Sequence, residues 1–121
     1  MVTEYGFYNA YEATGLVSRM NYPDVYSMTL HCMDIDGVSF IFAPFEMFGA
    51  TGRYIKDNSP YEMTFVVTCS ENENSYHMGY IPTLIGCEES FYEYDVTKFE
   101  RGTAEDLAGL YVERLTQLKN G

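Results

Sequence analysis

The stretch VYSMTLHCMDIDGVSFIFAPFE, residues 25–46, decides how the rest of the chain is read. From Val25 to Met33 the residues alternate, with Tyr26, Met28, Leu30 and Cys32 on one face and Ser27, Thr29 and His31 on the other. That two-residue period predicts a half-buried strand. Asp34-Ile35-Asp36-Gly37 supplies turn chemistry, and Val38 to Ala43 follows, apolar except for Ser39 and rich in branched and aromatic side chains. Such a run predicts a central strand covered on both faces and antiparallel to its predecessor. Pro44 closes the run, and a lone carboxylate, Glu46, stands at its exit.

Downstream, Met47 to Asp57 sets Phe48, Tyr54 and Ile55 near helical spacing and stops at Asn58-Ser59-Pro60, where proline forbids continuation. Glu62 to Cys69, EMTFVVTC, predicts another strand; Ser70 to Ser75 is a polar acidic loop, and Tyr76 to Ile81 a short extended piece before Pro82. Residues 83–102 read as irregular apart from a strand at Phe91 to Val96. In the last element Thr103 is placed to cap a helix, with Asp106 completing an approximate capping box. Leu107, Leu110, Tyr111, Leu115 and Leu118 are assigned to its apolar face. Upstream, Tyr5, Tyr8 and Tyr11, between Glu4 and Gly15, predict a short helix, and Asn21-Tyr22-Pro23-Asp24 a turn. The order predicts an α+β fold, a mostly antiparallel sheet with helices packed on it, in a single domain without internal repeat or linker.

Composition narrows the function. A chain of 121 residues buries about 65–70% of its unfolded surface, enough for a core, and 17% aromatic content argues against disorder. With 18 acidic against 7 basic residues the formal net charge is -11, which repels a phosphate backbone and excludes nucleic acid as a natural partner. The three cysteines, Cys32, Cys69 and Cys87, form no CxxC pair, and Cys32 and Cys69 lie in apolar runs where the thiol acts as a small hydrophobe. No apolar run reaches the roughly 20 residues of a membrane span, and the N-terminal MVTEYGFYNA has neither a basic region nor an apolar core of a signal segment.

The candidate chemistry is sparse. Glu46, between a strand and a helix, reads either as a helix-start acid on a solvated edge or as a metal ligand or general base at a strand end. Asn72, Asn74, Tyr76, His77 and Tyr80 gather in one loop segment, where ligand chemistry is commonly hosted. His31, on an alternating strand, reads as structural. The two histidines form neither HxH nor HExxH, and no GxSxG elbow, phosphate loop or dinucleotide fingerprint is present.

Three runs taken in order carry more: FAPFEMFGATGRYIKDNSP (42–60), MTFVVTCSENENSYHMGYIPT (63–83) and FYEYDVTKFERGTAEDLAGLYVERLTQL (91–118). Their succession resembles the C-terminal part of the catalytic region of neutral/alkaline non-lysosomal ceramidases and their bacterial ceramidase-like relatives. In that family an apolar strand ends in Pro-x-Glu, followed by a helix, a Ser-Pro turn, a strand, an Asn-containing loop ending in Gly-Tyr, and a Tyr-Glu pair. The resemblance spans about residues 25–118 and implies a C-terminal fragment of a larger, zinc-dependent amidohydrolase acting on ceramide or a related lipid-like amide. It implies Glu46 and Tyr80 as zinc ligands and Tyr92, followed by Glu93, as the tyrosine that steadies the oxyanion. It also implies two histidine ligands outside this chain, a fragment inactive alone, self-association through surface exposed by truncation, and a secreted or cell-surface parent. Phe45 stands where ceramidases commonly carry glycine, and residues 70–78 lengthen the loop. A non-catalytic interaction or structural domain of the same fold is the alternative.

Overall fold

The computed structural model describes residues 10–71, 78–89 and 91–121. Strand β1 (His31–Ile35) and strand β2 (Val38–Phe42) form the antiparallel hairpin, in register from His31 opposite Phe42 to Ile35 opposite Val38. Asp36 and Gly37 turn the chain with φ of 53° and 83°, both left-handed, as a two-residue hairpin connection requires. The Gly37 N–H donates to Asp34 Oδ1 at 2.9 Å, which fixes the turn from within. The strand expected from Val25 begins six residues later. Tyr26, Met28 and Leu30 are half-buried against the core while Ser27 and Thr29 are exposed, so the alternation is real, but residues 25–30 join no ladder. Alternation reports which side faces the core; pairing needs a partner edge.

Helix α2 (Gly49–Asn58) follows, and strand β4 (Thr64–Val67) then lies beside β2 in parallel, Ser39 opposite Thr64 and Phe42 opposite Val67. The sheet order is β1-β2-β4, which makes β2 central as expected. The sheet is mixed rather than mostly antiparallel, because a helix between two strands carries the chain back to its starting edge and returns the second strand in the same direction. A second pair, β3 (Glu46–Met47) and β5 (Tyr80–Ile81), is parallel too. The helix expected from Met47 starts at Gly49, since Glu46 and Met47 are used in β3. It stops where Ser59 adopts ψ 140°, the extended geometry imposed by Pro60.

Helix α5 (Thr103–Asn120) packs on α2 and β1. Its buried stripe is Ala104, Leu107, Ala108, Tyr111 and Leu115, whereas Leu110 and Leu118 are exposed, which corrects the wider face expected. Positions 107, 111 and 115 recur every four residues and follow one ridge; 110 and 118 fall to its side. Thr103 does not cap the helix: Gly102, at φ 92°, is the capping residue, and the Thr103 hydroxyl donates to the Glu100 carbonyl at 2.7 Å, so the box with Asp106 is not formed. Tyr111, fully buried, donates its hydroxyl to the Phe42 carbonyl at 2.8 Å and ties α5 to the end of β2.

Between β5 and α5 lie helices α3 (Leu84–Glu89) and α4 (Phe91–Val96). The latter replaces the strand expected at Phe91 to Val96; six residues are too few for their period to separate strand from helix, and the surroundings decide. An N-terminal helix, α1, spans Ala10–Arg19. Glu4, Tyr5 and Tyr8, together with the Tyr11 side chain and residues Asn72, Asn74, Tyr76 and His77, lie outside the described residues.

Helices cover one face of the sheet, where Ser39 and Ile41 are buried completely. The opposite face presents Met33, Ile35, Phe65 and Val67 to solvent, with Phe40 stacked on Phe65 at 5.1 Å between ring centroids. The expected double coverage of β2 is thus limited to its inner side: Val38, Phe40 and Phe42 are only half-buried. Cys69 is also exposed, past the end of β4 at φ 54°, and not the packed thiol expected. Among the described residues no helix is long and apolar enough to cross a membrane.

Candidate functional site

The exit of β2 sets the site. Pro44 has no N–H to give a ladder; the Ala43 and Phe45 carbonyls on either side of it still accept from the Ser70 and Cys69 N–H groups at 3.0 and 3.1 Å, and the chain then enters β3. The Glu46 N–H then donates to the Gly79 carbonyl at 2.8 Å. Gly79 itself has φ 69°, a left-handed turn that costs glycine little, and it delivers the chain into β5 with Tyr80 directly opposite Glu46. Glu46 is therefore a strand residue beside Tyr80, three positions before α2, and the helix-start reading is set aside.

The phenol of Tyr80 donates to the Glu46 carboxylate, and this bond is the largest cause of a pKa raised above the usual tyrosine value. The negative charge of Glu46, partial burial, and the nearby Tyr92 and Glu93 push the same way. Tyr92, on α4, sets its ring edge-on to Tyr80 with centroids 6.1 Å apart and planes at 76°. Phe48 meets Tyr80 in a second edge contact, at 6.4 Å and 86°. The backbone of Tyr80 is held as well, its carbonyl accepting from the Thr97 hydroxyl at 2.8 Å. Gly86 lies behind Phe48: a Cβ there would stand 2.6 Å from Phe48 Cε2, so any larger residue forces the ring to move.

Glu46, Tyr80 and Tyr92 line one cleft of about 430 Å³. Sequence reasoning missed the other wall, made by Ser18 and Arg19 of α1 with Tyr22 and Lys98. Lys98 Nζ stands 5.1 Å from the centroid of the Tyr22 ring. No motif marks these residues, because α1 and the residues before α5 meet only in the folded chain. His31 lies on β1 opposite Phe42, exposed and away from this cleft. The cysteines are free, and among the described residues no three of His, Cys, Asp and Glu cluster in a way that holds a metal ion. What the arrangement offers is a carboxylate and a phenol in hydrogen-bond contact, with a second phenol beside them. No family model, no curated protein and no solved structure matches this chain.

Proposed function

We propose that this chain is the C-terminal portion of a zinc-dependent, ceramidase-like amidohydrolase, acting on the N-acyl amide of ceramide or a related lipid. The observation that supports it is the convergence on one cleft of Glu46, Tyr80 and Tyr92, residues far apart in the chain that the family resemblance assigns to a single centre. The donor set fits zinc in kind: a carboxylate oxygen and a phenol oxygen already share one hydrogen bond, and oxygen donors of these two types would suit a zinc ion. Glu46 and Tyr80 would hold the ion, with two imidazoles supplied by the rest of the larger protein. Zinc, when bound, supplies Lewis acidity and a water whose pKa is lowered to about 7.

The chain's own residues carry the remainder. Hydrolysis bonds the water oxygen to the acyl carbon and breaks the C–N bond; the amine leaves with a proton and the acyl group departs as a carboxylate. Charge develops on the carbonyl oxygen during this addition, and the exposed Tyr92 hydroxyl is the donor for it. Tyr80 must lose its proton to face a cation, and the hydrogen bond to Glu46 gives that proton a defined position until then. Phe48 and Tyr92, edge-on to Tyr80, restrict where its ring can turn.

The test compares zinc content and turnover of a fluorogenic N-acyl sphingosine in the full-length protein and its Glu46→Ala variant. Loss of both is the expected result, and zinc retained in the variant would overturn the assignment. A second reading, a non-catalytic interaction or structural domain, is favoured by the uncovered apolar face of the sheet. A full-length protein that never binds zinc would select it.

A further inference from the structure

A sheet that keeps one face in water alternates apolar inward residues with polar outward ones, and the β1-β2-β4 sheet departs from this rule. The register places Met33, Phe40 and Phe65 in one row across the outer face, with Ile35 beside Val38 on one flank and Phe42 beside Val67 on the other. Met63, two residues before Phe65 and exposed like it, continues the β4 edge. His31, opposite Phe42 at a corner, is the one polar side chain in this grid. No Asp, Glu, Lys or Arg stands in it, although these make up 21% of the chain. The outer face therefore has the composition of a covered surface.

Its area decides what could cover it. Met33, Ile35, Met63, Phe65 and Val67 are each 38–53% exposed. With about 200 Å² for a large apolar side chain left fully open, these five offer on the order of 450 Å² of apolar surface. A standard protein–protein interface buries about 800 Å² per partner, of which roughly 56–65% is apolar, so one partner's apolar share is about 450–520 Å². The face matches that share. Near its centre the Phe40 and Phe65 rings stack at 5.1 Å between centroids, placing large aromatic area where truncation of an interface costs most.

We propose that this face is a symmetric interface between two copies of the chain. A basic partner would be met by the 18 acidic residues, none of which lies in the grid, whereas a second copy presents the same flat, uncharged surface. Two such faces pack about 10 Å apart, with strands nearly aligned or crossed, as in two-layered sheets, and a closed pair leaves neither face open. Each copy carries a formal net charge of -11, so the copies repel one another at long range. Salt screens that repulsion and leaves the apolar contact, so the pair tightens as salt rises; a contact made by ion pairs does the opposite. The face shares no residue with the cleft of Glu46, Tyr80 and Tyr92, and the inference stands or falls apart from the amidohydrolase reading.

Sedimentation equilibrium of the full chain, from about 1 to about 500 μM, tests this. A monomer–dimer equilibrium with a Kd of about 10–100 μM is expected at low salt, tightening about threefold at high salt. Ile35→Lys and Phe65→Lys, on the two outer strands, are each expected to remove the concentration dependence, a loosening of at least about thirtyfold. Ile85→Lys, at an exposed apolar position on α3, is expected to leave the dimer unchanged. In a mixture of isotope-labelled and unlabelled unmodified chain, magnetic-resonance contacts between copies are expected only among residues of the outer face, a readout that needs no variant to fold. A monomer at every concentration, a dimer that loosens with salt, a dimer that both outer-strand variants leave intact or that Ile85→Lys breaks equally, or contacts between copies made by other residues would each overturn the inference.

Discussion

Two buried hydroxyls show how the same group acts oppositely in different company. Ser39 Oγ, in the middle of β2, lies 2.7 Å from Thr64 Oγ1, which in turn donates to Ser59 Oγ at 2.6 Å, so a chain of hydroxyls joins the parallel strands. Thr51 Oγ1, in α2, is equally buried and has no partner among the described residues. An unmade bond leaves the desolvation cost of a buried hydroxyl uncompensated. Thr51→Val is therefore expected to raise stability by about 1 kcal/mol, and Ser39→Ala to lower it by about 1–2 kcal/mol. Urea unfolding midpoints at constant m-value measure both. Thr51 is legible in the sequence only as a helix residue, because whether its hydroxyl finds an acceptor depends on what packs above it.

Tyrosine ionisation gives a pH signature at the same scale. Burial raises the pKa of Tyr111, and burial followed by its 2.9 Å hydrogen bond to Asp34 raises that of Tyr61. Both folded values exceed the ordinary tyrosine value of about 10, so the fold favours the protonated phenols. Their contribution is complete below about pH 10 and is lost as pH rises through the raised values. Melting temperature is expected to fall steeply above about pH 10, with part of the phenolate absorbance appearing only as the chain unfolds. Tyr111→Phe should flatten that fall while lowering stability at neutral pH by about 1 kcal/mol through the lost bond to Phe42. Phenolate absorbance that is complete before unfolding begins, with no part held back to the transition, would contradict this.

At the scale of elements, the two-residue strands β3 and β5 are too short to hold a site unaided, and they rely on neighbours. Thr97 anchors the Tyr80 carbonyl, and α3 presses Phe48 toward the Tyr80 ring. Gly86→Ala introduces a Cβ within 2.6 Å of the Phe48 ring, which must move. The expected cost is about 1–3 kcal/mol, with loss of near-ultraviolet circular dichroism from the tyrosine and phenylalanine rings around Tyr80. An unchanged aromatic spectrum would show that Phe48 shifts without disturbing the site. The hairpin and α2 are legible in sequence since Asp36-Gly37 and Ser59-Pro60 act through their own backbones. The pairing of β3 with β5 is not, because two residues carry no period and their partner lies more than thirty positions away.

For the whole molecule, the uneven cover of the sheet is the dominant feature. Inward residues of β2 are sealed by α2 and α5, while Met33, Ile35, Phe65 and Val67 stay exposed around the Phe40–Phe65 stack. As proposed above, this apolar face is where the chain meets a second copy of itself. The sedimentation coefficient of the chain is expected to rise with concentration, and that of Phe65→Lys to stay constant. A wild-type chain that sediments as a monomer at every concentration would count against self-association through this face.

By itself the sequence determined the α+β class, the hairpin and its turn, the stop of α2, and the extent of the last helix. Each depends on short-range terms: a proline without an N–H, an Asp-Gly pair able to take positive φ, a run of apolar residues at helical spacing. Tertiary structure alone decided the parallel direction of β4, the helical state of 91–96, which leucines of α5 are buried, and the cleft wall made by Arg19 and Lys98. Those outcomes turn on which distant surface each segment meets. Backbone pairing and burial are free-energy differences between alternative neighbours, and no local pattern records them.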